Sequence, residues 1–325
     1  MKKRFINDGI AIMGIAVLAL LSIGCASTPP EAIVSVPSVD LVPGLNDKLT
    51  WLQYKAESGG NYTLEVDADE RITRRGFIGF DNTLSFKDKS DITITLRGVG
   101  TNRTITGDSS NTIFSVGSGV TLILDENITL QGQPGNQFGT AYVYASLVSV
   151  DSGGTLVMNE GSTIAGGTHN GNGGGVSVAN GGTFIMRGGT ITNNLIAPTM
   201  RDVQSYRAGY GATQSLIGGL IPGALQPSNA TSTASVGPVY YGGGVFVSNT
   251  AKFIKTGGTI TGFASDQTNG NVVRDFQGNV LQSNGHAVSV GTGNSRRKET
   301  TAGPEVNLSY DGTTNPPTFS GAWDN

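Results

Sequence analysis

Residues 173–194 read GGGVSVANGGTFIMRGGTITNN, and this stretch decides the fold. Three short runs, Val176–Val178, Thr183–Met186 and Thr190–Thr192, carry apolar residues at alternate positions, with glycines between them. Alternation is the period of a β-strand, in which successive side chains point to opposite faces. Related text recurs at 147–167 (LVSVDSGGTLVMNEGSTIAGG) and at 242–262 (GGGVFVSNTAKFIKTGGTITG). Strands this short cannot bury their apolar side chains alone, so the copies must stack on one another. The expectation is an all-β solenoid with three short strands per rung and Gly at the positive-φ corners between strands.

Aligning the copies predicts what is buried. The first strand gives inward pairs Phe114/Val116, Val148/Val150, Val176/Val178, Val245/Val247 and Val288/Val290, with Ser115, Ser149, Ser177, Phe246 and Ser289 outward between them. The second gives Leu122, Leu156, Phe184 and Phe253 in one column and Leu124, Met158, Met186 and Lys255 in the next. The third gives Ile128, Ile164, Ile191 and Ile260. Lys255 breaks its column, so that strand end is expected to meet solvent. Each buried Val, Ile or Phe contributes roughly 1.5–3 kcal/mol, so five or more rungs build a sizeable core.

The composition agrees with a β fold. Gly is 49 of 325 residues, about twice the usual share, and Gly, Asn and Thr are poor helix formers. Residues 1–24 read as an export signal: Lys2, Lys3 and Arg4 precede an uncharged run from 9 to 23, too short to span a bilayer. Cys25, the chain's single cysteine, stands immediately after Gly24 and reads as a lipid acceptor. An ordinary cleaved signal and an uncleaved anchor are the alternatives. The stretch 21–25, Leu-Ser-Ile-Gly-Cys, resembles a bacterial lipobox, with Leu21 four residues before the Cys where families usually place it three before. Loss of 1–24, with its three basic residues and Asp8, leaves 18 basic and 23 acidic residues and a formal net charge of −5. No basic patch for nucleic acid remains. Ala26 after the Cys favours the outer membrane, by resemblance to enterobacterial sorting rules.

Residues 25–44, with Pro29, Pro30, Pro37 and Pro43, read as an extended tether. Leu45, Leu49, Leu52 and Ala56 then share one helical face, and Gly59-Gly60 supplies a stop. A helix over 45–58 is expected to cap the open strand edge of the solenoid, with Trp51 and Tyr54 helping to cover it; an independent helix in a linker is the alternative. The solenoid follows over 61–325, beginning with strands at 62–66, 92–96 and 103–106. Asp67, Asp69 and Glu70 meet Arg71, Arg74 and Arg75 at once, a self-neutralised loop rather than a cation site.

The Gly-Gly-Gly-Val-x-Val and Gly-Gly-Thr-Ile-Thr texts resemble the repeats of polymorphic outer-membrane and adhesin-type proteins, and more closely the Gly-Gly-repeat β-helical lipoproteins of spirochaetes. The resemblance covers most of 45–325 and implies a single-stranded right-handed parallel β-helix. Asn249-Thr250-Ala251 departs from it, standing where the preceding copy has Asn180-Gly181-Gly182. No translocator barrel follows the repeats, so the lipid on Cys25 is the expected anchor.

Equivalent positions are 28 residues apart from Thr155 to Thr183 but 69 apart from Thr183 to Lys252. An insertion of about 195–241 is expected to loop out, leaving Phe184 and Phe253 on adjacent rungs. It holds the densest Tyr/Arg cluster, and Arg201, Tyr206, Tyr210, Tyr240 and Tyr241 are its candidate ligand contacts. A loop with no partner is the alternative. Arg296-Arg297-Lys298 reads as an exposed turn, 306–310 as a final strand, and Phe319 and Trp323 as the apolar plug of the C-terminal end.

Polysaccharide-cleaving β-helices need carboxylates converging on an outer sheet face. The outward row Ser, Ser, Ser, Phe, Ser holds none, and no catalytic motif occurs. His169 and His286, the only histidines, have no partner nearby in sequence for zinc. The expectation is a monomeric, exported, non-enzymatic protein without metal or cofactor, lipid-anchored in the bacterial cell envelope. Its role is adhesive, structural or antigenic, with the membrane and a host or cell-surface glycan or protein as partners. The alternative is a carbohydrate-binding or polysaccharide-cleaving protein using the Tyr-containing insertion.

Overall fold

A computed structural model describes residues 42–72, 83–107, 112–132, 145–198, 240–291, 296–309 and 318–324. The signal, Cys25, most of the tether, Arg74, Arg75, Arg201, Tyr206, Tyr210 and Tyr310 lie outside the described residues. The chain is all-β with one helix among the described residues. Most of its strands pair in parallel, and each pass of the chain contributes one strand to each of three sheets in turn.

Sheet I holds Thr83–Leu84, Phe114–Val116, Val148–Val150, Val176–Val178, Val245–Val247 and Val288–Val290, all parallel, with Arg297–Lys298 antiparallel at its end. Sheet II holds Asn61–Val66, Ile92–Gly98, Val120–Leu124, Thr155–Met158, Thr183–Met186 and Lys252–Lys255 in parallel, then Asn307–Ser309 and Thr318–Ser320 antiparallel. Sheet III holds Glu70–Arg71, Arg103–Thr106, Ile128–Gln131, Ser162–Ala165, Thr190–Thr192 and Thr259–Ile260. A short sheet IV, absent from the sequence reading, joins Thr168–His169, Leu195–Ile196 and Val272–Val273 between sheets III and I.

The inward rows meet in one apolar core. Sheets I and II have the register the sequence predicts: Val148, Val176, Val245 and Val288 are partners in succession, as are Leu122, Leu156, Phe184 and Phe253. The Phe184 and Phe253 rings stack, centroids 5.3 Å apart at 26°. Between sheets I and II the chain turns at Gly119, Gly153 and Gly181, whose φ values of 73°, 76° and 77° lie in the left-handed region.

Several sequence expectations need correction. In sheet III Ile164 pairs with Leu130, not Ile128, so the row runs Ile105, Leu130, Ile164, Ile191, Ile260. A slip of two residues keeps the inward face, so alternation alone cannot detect it. Leu195 and Ile196, assigned to the insertion, are instead a strand of sheet IV. Lys255 is fully buried: Asn307–Ser309 covers its strand, its stem continues the methionine row, and its ammonium donates to Gly257 O (2.7 Å) and Gly258 O. Arg297–Lys298 is a strand rather than an exposed turn. Phe246 and Ser289 lie in the outward row yet are buried, because the chain ahead of each strand folds over it. A Cβ on Gly242 would fall 2.9 Å from Phe246 Cα, and one on Gly285 2.7 Å from Ser289 Cβ.

The helix spans Leu45–Lys55, and Leu45, Leu52 and Ala56 are buried in the core. Val66 O faces the next strand of sheet II, accepting from Val99 N, so Glu65 O faces the free edge. There Lys48 Nζ donates to Glu65 O (2.6 Å), while Asn46 Nδ2 donates to Arg71 O in the end strand of sheet III (2.7 Å). Trp51 packs edge-on against Tyr62 at 6.2 Å, whereas Tyr54 is 77% exposed and covers nothing. At the other end Phe319 and Trp323 are partly buried against the core and meet edge-on at 6.1 Å.

Candidate functional site

The outer faces carry rows of hydroxyls. On sheet III, Thr104, Thr129, Thr163, Thr190 and Thr259 are partners in unbroken succession. On sheet II the row is Thr93, Thr121, Thr155 and Thr183, then Lys252. On sheet I it is Thr83, Ser115, Ser149 and Ser177. The sequence reading identified only the serine row. The threonine rows were legible in the same alignment, since Thr155 and Thr183 each precede an inward residue by one place.

Four carboxylates near these faces, Asp69, Glu70, Asp125 and Asp151, hold structural partners. Asp125, at the end of a sheet II strand, accepts from Arg97 Nε and Nη2 (3.1 and 3.0 Å) and from Asn159 Nδ2 (3.0 Å). Burial pulls its acidity toward the neutral form, but those hydrogen bonds win and hold it below the usual carboxylate range. Asp151 accepts from Ser115 Oγ (2.9 Å). Of the acidic stretch 67–70, Asp69 accepts from Thr104 N (2.8 Å) and Glu70 from Leu45 N (3.0 Å), anchoring sheet III and the helix.

A set of polar groups converges at the C-terminal end. Tyr241, half-buried, donates its N–H to Asn172 Oδ1 (2.8 Å) and accepts from Gly173 N (3.0 Å), and the Arg297 guanidinium lies 5.4 Å from its ring centre. Tyr240 O accepts from Asn284 Nδ2 (2.8 Å). These two described members of the predicted Tyr/Arg cluster thus sit beside the last strands of sheet I. Buried His286 accepts at Nδ1 from Val273 N (3.0 Å), and its Nε2 lies 3.6 Å from Glu299 Oε2. Asp324 accepts from Lys298 Nζ (3.1 Å), Glu299 N (2.8 Å) and Thr300 N (3.1 Å). The sequence reading missed this cluster, because 286, 299 and 324 are brought together only by the antiparallel return of the chain.

The second histidine, His169, sits in sheet IV with Nδ1 3.2 Å from Gly173 O, and burial disfavours its charged form. Among the described residues no group of three His, Cys, Asp or Glu side chains is arranged to hold a metal ion. Comparison with protein-family models, curated proteins and solved structures finds no match to this chain.

Proposed function

We propose that this protein is a single-stranded parallel β-helix, right-handed as parallel crossovers nearly always are, and held in the bacterial cell envelope by lipid on Cys25. Its role is non-enzymatic: adhesive, structural or antigenic. The observation that carries the reading is the division of labour within each strand. Inward positions are nearly all apolar, the outward rows of sheets I and III and one of the two in sheet II repeat Ser and Thr in register, and Asp125 and Asp69 beside them hold side-chain and backbone donors. A scaffold of this kind displays a surface rather than a reaction centre.

The anchor is tested by metabolic labelling with a fatty acid. The wild-type chain is expected to take up label and Cys25→Ala to take up none; equal labelling sinks the anchor. Protease treatment of intact cells tests display, and full protection of residues 42–325 argues against a surface role.

Binding of a glycan beside Tyr241 is a second reading, favoured by the half-buried ring under Arg297 at the edge of the 199–239 segment. On a glycan array, binding by the soluble chain that disappears with Tyr241→Ala supports it; no binding by the wild type removes it.

A further inference from the structure

We propose that His286 is an acid sensor: a proton taken up by its buried imidazole releases residues 296–309 and 318–324 from the last parallel strands and bares their edges. These residues form a cover built of linked contacts. Arg297–Lys298 lies antiparallel on Val288–Val290, and Leu308 pairs with Phe253 of Lys252–Lys255. Asp324 ties the tail back to 297–300: its N–H donates to Arg297 O (3.0 Å), and its carboxylate accepts from Lys298, Glu299 and Thr300. Glu299 ties that strand to the turn before Val288, accepting from Gly285 N (2.7 Å) and His286 N (3.0 Å). His286 in turn accepts from Val273 N in sheet IV.

The geometry disfavours a charge on the ring in place. Its Nδ1 is occupied as an acceptor, so the neutral ring carries its proton on Nε2. That atom is buried without a hydrogen-bond partner, 3.6 Å from Glu299 Oε2. A second proton would set Nδ1–H against Val273 N–H, donor against donor, on a side chain only 1% exposed. The charged and titratable groups packed around it are Arg274, from the chain after Val273, and Glu299, with Arg297, Lys298 and Asp324 beyond it. Arg274 lies 5.8 Å from the centre of the Phe263 ring that itself packs on His286 at 5.6 Å, and it repels a second cation. Asp275 is turned into its own loop, accepting from Gln277 N and Asn279 N (each 2.8 Å).

Burial first, and Arg274 second, push the imidazole down to about 4 from an ordinary 6.5. A histidine whose folded affinity for protons is depressed stabilises the fold above 6.5 and loses that contribution as pH falls from 6.5 toward 4. Burial raises Glu299, so its own protonation opposes the loss. A protonated carboxyl keeps its carbonyl oxygen for one of the two amide N–H donors and only weakens the other, whereas a protonated imidazole has no acceptor left, so the ring sets the sign. Neutralising Glu299 also removes the carboxylate 3.6 Å from Nε2.

The test uses the full chain carrying Trp51→Phe, which leaves Trp323, in the released segment, as the single tryptophan. Between pH 7.5 and 4, Trp323 emission is expected to shift to the red with a midpoint below 6.5, while far-ultraviolet circular dichroism keeps its β signal. In His286→Asn, whose amide oxygen replaces the acceptor without titrating, the shift in that window disappears. No shift in the parent, or the same shift in His286→Asn, overturns the proposal. Should His286→Asn not fold, nuclear magnetic resonance titration of the parent's two histidines decides. A His286 ring that stays neutral while the cover is in place upholds the proposal, and one that titrates near 6.5 with the cover attached refutes it.

Discussion

Truncating Phe184 to Ala tests the central packing claim, that Phe253 lies directly on Phe184 although the two stand 69 positions apart in sequence. Both rings are fully buried, and their centroids are 5.3 Å apart. Each Phe→Ala change alone should cost about 3–5 kcal/mol, from lost transfer energy and the cavity left behind. The ring pair adds roughly 0.5–1.5 kcal/mol beyond area, and that contact is lost once in the double variant, not twice. Phe184→Ala/Phe253→Ala should therefore cost less than the sum of the singles by about that amount. At ~2–4 °C per kcal/mol, each single lowers Tm by on the order of 6–20 °C. Urea unfolding of the four proteins, followed by dichroism and fluorescence together to check that one transition is read, supplies the cycle. Additivity within about 0.3 kcal/mol, the behaviour of distant sites, would refute the register.

Three further outcomes are expected. Val178→Asp places an unpaired carboxylate between Val150 and Val247 in the core and should cost about 3–5 kcal/mol; an unchanged melting point would invert the inward and outward assignment of sheet I. Gly257→Ala brings a Cβ to 2.0 Å from Arg187 O and should cost about 1–3 kcal/mol in urea unfolding, against no more than ~0.5 kcal/mol for exposed Thr256→Ala; equal effects would remove the close approach. Burial holds Lys255 down to about 8, so between pH 8 and 10.5 the unfolded chain binds the more protons and stability rises with pH, by at most about 1.4 kcal/mol per unit. Lys255→Met should lack that alkaline rise when the two pH–stability curves are compared, and parallel curves would show that Lys255 is not desolvated.

Much of the core was legible in residues 173–194 and their copies, because a strand's period of two is visible in sequence and stacked strands repeat like residues at like positions. The valine rows of sheet I and the Leu122–Phe253 row of sheet II follow from this. The row of sheet III did not: Ile128 and Leu130 both point inward, and only the backbone pairing with Ser162 and Ile164 chooses between them. Sheet IV escaped because Thr168–His169, Leu195–Ile196 and Val272–Val273 are two-residue strands, too short to display a period.

The candidate sites divide in the same way. The hydroxyl rows are a property of the repeat and were present in the text, whereas Lys255 and Arg297–Lys298 were read as exposed because charge in a short segment ordinarily seeks water. The burial of Lys255 and Lys298 depends on the antiparallel strands Arg297–Lys298 and Asn307–Ser309, laid over the last parallel ones. The sequence by itself determined that GGGVSVANGGTFIMRGGTITNN would be β, which residues of it face inward, and that its glycines turn corners, since alternation and backbone freedom are local. Only the tertiary structure decided what closes the two ends and which of 286, 299 and 324 meet there, because those contacts join segments that share no repeat.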